Sequence, residues 1–168
     1  MIKHIFSLAL ITALAACSTA DKTPLSVEEQ AAGATKMCSD NASAIAQRQA
    51  SKSLYSRLGE RPGIEAFTTN LYAAHRANTD IGHFFEHVPE QPFIKNVTDF
   101  VVVNSGGGGK YTQRDMTTVH KSLGITLGDF LAAGSDVQSV LADLGRGENE
   151  IQEVICFLVS LAPTVVTK

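Results

Sequence analysis

From Leu54 to Leu161 the apolar residues recur every three or four positions, a period that confines this part of the chain to packed α-helices. Leu54, Tyr55 and Leu58 form a short apolar face that stops at Gly59. Pro62 suits the first turn of the next helix, in which Ile64, Phe67, Leu71, Tyr72 and Ala74 keep the same phase. Asn78-Thr79-Asp80 breaks that helix and can cap a short turn carrying Ile81, Phe84 and Phe85. Pro89 and Pro92 open another helix, with Phe93, Val97, Phe100 and Val101 on one face. Val101-Val102-Val103 alone suggests a strand, but strict alternation is absent and the helical phase runs through it. Asn104-Ser105 and Gly106 to Gly109 end this helix in a flexible loop. Two longer helices follow, Thr126 to Leu144 with an irregularity at Gly134-Ser135, and Asn149 to Leu161, which Pro163 ends. The expected fold class is all-α.

The first 16 residues read as an export signal. Lys3 gives a short positive start, Ile5 to Ala16 is a largely apolar run of 12 residues, and about 20 are needed to span a bilayer. Leu14-Ala15-Ala16-Cys17 resembles the lipobox of bacterial lipoproteins, which are cut before the Cys and acylated on it; the alternative is an ordinary secretory signal with an incidental Cys. By the same resemblance to lipoproteins, Ser18 after the Cys permits sorting to the outer membrane, facing the periplasm. Residues 17–52, rich in Ala, Ser, Thr and Gln, are most simply a lipidated tether, part of it helical from the Ser26 N-cap. The globular domain is then 53–168.

Loss of Lys3 with the leader takes the formal charge from −3 to −4, without the basic clusters that nucleic-acid binding requires. Cys38 and Cys156 either form a bridge between extension and domain or stay as separate thiols. There is no Cys-x-x-Cys-His motif for covalent haem attachment. The glycine run ending in Lys110 lacks the following Ser or Thr of a phosphate-binding loop, since Tyr111 stands there. His83 and His87 have a zinc-compatible spacing without a third ligand, and His75 falls at a helix edge.

Ser53-Leu-Tyr-Ser-Arg-Leu-Gly, then Leu71-Tyr72, Phe84-Phe85, the glycine-rich loop, Tyr111-Thr112, Met116 and His120 follow one another as in truncated haemoglobins of group I. The chain resembles that family over about residues 53–164. The resemblance implies a two-over-two helical sandwich holding haem b, with His120 as the iron ligand. It also implies Phe85 packed against the macrocycle beside Phe84, Met116 and Tyr111 lining the pocket, and Tyr72 as the distal hydroxyl. Phe93 and Val97 stand where relatives often carry glutamine, and Asn96 where some carry a second histidine ligand, so the iron is expected five-coordinate or water-bound. Reversible binding of O₂, NO or CO is the implied function, with oxygen transport in its orbit. NO dioxygenation would need an external electron donor, because these residues contain no flavin or nicotinamide domain. The alternative is an envelope haem sensor or electron-transfer protein.

Overall fold

The computed structural model describes residues 24–168. The leader, Cys17 and the lipid reading lie outside them. Among the described residues there are seven α-helices and one 3₁₀ turn: α1 Val27–Ser51, α2 Leu54–Arg57, α3 Glu60–Ala77, the turn Gly82–Phe85, α4 Glu90–Asn104, α5 Met116–His120, α6 Leu127–Asp143 and α7 Glu148–Val165. The all-α expectation holds. The helix starts follow capping chemistry: Ser26 with Glu29 and Thr126 with Asp129 each form a reciprocal capping box.

Two helix pairs, α3 with α4 and α6 with α7, are joined by the contact of α3 with α6. The core they enclose contains Leu54, Leu58, Ile64, Phe67, Leu71, Val102, Val137, Val140, Leu141 and Val154. Complete burial of Ile64 and Leu141 contributes about 1.5–3 kcal/mol each.

Four details differ from the sequence reading. The core face of α4 is Ile94, Thr98 and Val102, whereas Phe93, Val97, Phe100 and Val101 form a second, half-buried stripe. Thr98 can lie inward because its hydroxyl pairs with that of Thr68 at 2.7 Å, both side chains being buried. Helix α6 runs unbroken through Gly134-Ser135, and α7 continues past Pro163 to Val165; a proline in a last turn removes only one hydrogen bond. The glycine loop is also pinned at one point. A Cβ on Gly107 would stand 2.6 Å from the Tyr55 ring and 2.7 Å from Val102, so only glycine fits there.

The described part of the extension is a helix docked on the domain rather than a tether. α1 has no fully buried residue, so apolar packing alone does not hold it. The Cys38–Cys156 disulfide, with Cα atoms 5.3 Å apart and a sequence separation of 118, joins it to α7; a bridge of this kind is typically worth about 2–4 kcal/mol. Beside it Arg48 Nε donates to Glu153 Oε1 at 2.6 Å, and Gln49 donates to Oε2 at 3.2 Å. Arg57 of α2 reaches both Glu153 and Glu150. The Glu153 side chain has no exposed surface. Burial pushes its carboxyl up, but the hydrogen bonds from Arg57, Arg48 and Gln49 outweigh this and hold it below the usual carboxylate range.

A carboxylate held low in the folded state adds stability above its unfolded value, near 4.3, and loses it as pH falls through the folded value. Glu153→Gln should therefore cost about 2–4 kcal/mol at neutral pH and progressively less in acid. Urea unfolding of wild type and variant from pH 7 to pH 3 measures this; a constant difference would show that the charge is not what matters.

Candidate functional site

His120 ends the five-residue helix α5, which packs on α7. Asp115 caps this helix, accepting from the Thr118 N–H and hydroxyl, both at 2.8 Å. These bonds keep the exposed Asp115 carboxyl below its ordinary range. One turn on, His120 Nδ1 lies 2.7 Å from the Met116 carbonyl oxygen. A carbonyl only accepts, so Nδ1 donates to it, and in the neutral ring Nε2 is the nitrogen with the lone pair. The half-buried imidazole is thus oriented by its own helix and presents the nitrogen that metals take.

A second cluster gathers where α3, the 3₁₀ turn and the start of α4 meet. The Tyr72 and Phe93 ring centroids are 5.3 Å apart, Phe93 meets Phe85 edge-on at 5.7 Å, and Phe85 lies 5.0 Å from the His75 ring. Tyr72 is only 6% exposed. Its hydroxyl donates to the Val88 carbonyl at 2.7 Å, and Arg76 Nη1 donates weakly to the same hydroxyl oxygen at 3.4 Å. Val88 precedes Pro89 and therefore stays out of the helix. Pro92, four residues on, has no N–H to return. Tyr72 satisfies a carbonyl that α4 leaves open, an interaction worth about 1 kcal/mol.

His75 is buried rather than at a helix edge. Its Nδ1–H donates to Asp136 Oδ2 at 2.8 Å, and Asn78 donates to Asp136 Oδ1 at 2.9 Å. Asp136 therefore clamps the end of α3 to α6. Burial lowers the His75 pKa, and the carboxylate of Asp136 only partly restores it. No local signal marks the pair, since its members are 61 residues apart.

The remaining expected site residues divide. Phe84, Val97 and Met116 are half-buried, outside the closed core. Phe84 stacks with His83 at 4.0 Å. Tyr111 packs edge-on against Phe100 at 5.2 Å, and Phe100 in turn meets Phe157 of α7 at 5.5 Å, so Tyr111 belongs to a different aromatic group from Tyr72. Asn96 lies in an open depression with Gln91, Lys95 and Gln113. A cavity of about 470 Å³ between α1, α4 and α7, bordered by Ile45, Val101, Phe157 and the disulfide, contains none of the expected site residues.

His120 offers Nε2 to a metal in its neutral form, and Phe84, Phe85, Phe93, Val97 and Met116 are large apolar side chains that are only half-buried.

No protein-family model matches the chain. It is 26% identical over 102 residues to the group 1 truncated haemoglobin of Tetrahymena pyriformis, which covers 61% of this chain and 84% of the relative. The crystal structure of a truncated haemoglobin from T. pyriformis in the Fe(III) form superposes with a TM-score of 0.65 at 24% identity, covering 70% of this chain and all of that one. The 2/2 haemoglobin of Synechococcus sp. PCC 7002, solved in the cyanomet state with covalently attached haem, gives 0.62 at 22% identity, covering 68% and 98%. The chain has the two-over-two globin fold, and its sequence is related to that of a truncated haemoglobin.

His75 leaves a pH signature. Below about 6.5 the unfolded chain takes a proton at this imidazole that the folded chain resists, so stability should fall as pH drops from 7 to 5.5. The decline should be shallower in His75→Gln. Equal slopes in urea unfolding would remove the residue from this role.

Proposed function

We propose that this two-over-two globin binds haem b and takes up O₂, NO or CO, with His120 as its iron ligand. The observation that carries the reading is the His120 imidazole, whose Nδ1 lies 2.7 Å from Met116 O, which makes Nε2 the lone-pair nitrogen of the neutral ring. When bound, the haem supplies an iron that accepts a diatomic ligand and exchanges an electron. The chain's own residues do the rest. Met116 O fixes the ring plane and strengthens Nε2 as a donor. Phe85 and Phe93 supply apolar wall, Phe84, Val97 and Met116 extend it, and Tyr111 closes on Phe100. Tyr72 is the polar group of the distal cluster. The similarity to the T. pyriformis protein supports placement in group 1.

Ligand binding is the reading the site supports best. Conversion of NO to nitrate is a further step and requires an external electron donor. Sensing or electron transfer is the second reading, favoured by the commitment of the Tyr72 hydroxyl to Val88, which leaves it less available to a ligand. Negligible O₂ affinity with fast electron exchange to a cytochrome would select it. The Leu14-Ala15-Ala16-Cys17 motif supports a lipid anchor in a bacterial envelope, with Ser18 favouring the outer membrane.

Reconstituted protein should show a five-coordinate ferrous or water-bound ferric spectrum that shifts with CO, and His120→Ala should lose the proximal bond. Unchanged ferrous and CO spectra in the variant would overturn the assignment. Mass spectrometry of membrane-extracted protein should find the mature chain beginning at an acylated Cys17; an unmodified Cys17 would overturn the anchor.

A further inference from the structure

The Val88 carbonyl sits in a position where the backbone cannot serve it. Pro89 holds Val88 extended, Pro92 has no N–H at the position one turn on, and among the described residues no backbone N–H donates to it. Tyr72 is its hydrogen-bond donor, at 2.7 Å. The Tyr72 ring is held against Phe93 and is 6% exposed, so redirecting the donor needs no large movement of the side chain. It needs only rotation of the O–H about the Cζ–Oη bond or a small tilt. Arg76, an exposed residue one helical turn after Tyr72, bears on which way that rotor points. Its guanidinium donates to the hydroxyl oxygen and lies 5.9 Å from the ring centroid. By occupying a lone pair it leaves the proton directed at Val88.

We infer that Tyr72 is a two-position donor, resting on the Val88 carbonyl with Arg76 as the positioning residue that keeps it there, so that a bound ligand gains this hydrogen bond only by drawing the hydroxyl off Val88. The inference rests on the haem-binding reading above and concerns how that site discriminates among ligands. A ligand that accumulates negative charge competes with the carbonyl for the proton, whereas one that stays nearly neutral leaves Tyr72 at rest. The pocket thereby selects on ligand charge through an acceptor that belongs to its own backbone.

Infrared spectra of the C–O stretch in the ferrous CO form of the reconstituted protein test this, because the stretch reports whether a donor faces the ligand. Wild type should show a main band at the higher frequency of an unbonded ligand and a minor band at lower frequency. Tyr72→Phe should remove the minor band and leave the main one in place. Arg76→Leu, a change at an exposed position that spares the fold, should raise the share of the minor band about two- to fivefold, as expected for loss of one weak hydrogen bond. A single low-frequency band that disappears in Tyr72→Phe and is unmoved in Arg76→Leu would overturn this inference alone, since Tyr72 would then face the ligand permanently. Absence of any CO band from wild type would overturn the haem reading and this inference with it.

Discussion

Glu153 carries its carboxylate inside the protein, and the arrangement of three helices answers to that charge. An uncompensated buried carboxylate is costly enough to unfold a small domain. Arg48 and Gln49 of α1 and Arg57 of α2 must all converge on α7 to satisfy it. Two residues from Glu153 in sequence is Val154's neighbour Ile155, and next to that Cys156 adds the covalent link to α1. The same helix α7 supports α6 and, through α5, the imidazole of His120. The element that holds the extension is thus also the element that backs the candidate iron ligand.

Within the candidate site, two backbone carbonyls bind the two candidate side chains, His120 and Tyr72. Met116 O sets the tautomer and plane of His120, and Val88 O takes the proton of Tyr72. Their effects run in opposite directions. The first leaves a nitrogen free to coordinate; the second occupies the hydroxyl that the distal side would use. Aromatic contacts divide the surroundings in a parallel way, with Tyr72, Phe93, Phe85 and His75 in one chain of rings and Tyr111, Phe100 and Phe157 in another. His75 joins the first group to α6 through Asp136, so the ring that contacts Phe85 is itself anchored by a charged group on a different helix.

Helix positions were legible because apolar period and capping residues are local. Ser26 and Thr126 act over three residues, and each starts a helix where such a residue should, whereas the short helix that Asp115 caps is not read from the sequence. The face of α4 was less legible. Phe93, Val97, Phe100 and Val101 are the more apolar stripe, yet the core takes Ile94, Thr98 and Val102, because Thr68 on α3 satisfies the Thr98 hydroxyl. Tyr111 is associated with the site by its place in a motif, and the fold sets its ring against Phe100, a neighbour the motif does not specify.

The sequence by itself determined the helical class and the order of the long helices. Each of these depends on neighbours within a few positions. Only the tertiary structure decided that residues 27–51 are a docked helix, that Cys38 and Cys156 pair, that His75 is a buried partner of Asp136, and that the Tyr72 hydroxyl rests on Val88. The reason is the same in every case. Partners separated by 16 to 118 residues meet only after the helices pack, and no local period or cap encodes which distant group will satisfy a buried charge or an open carbonyl.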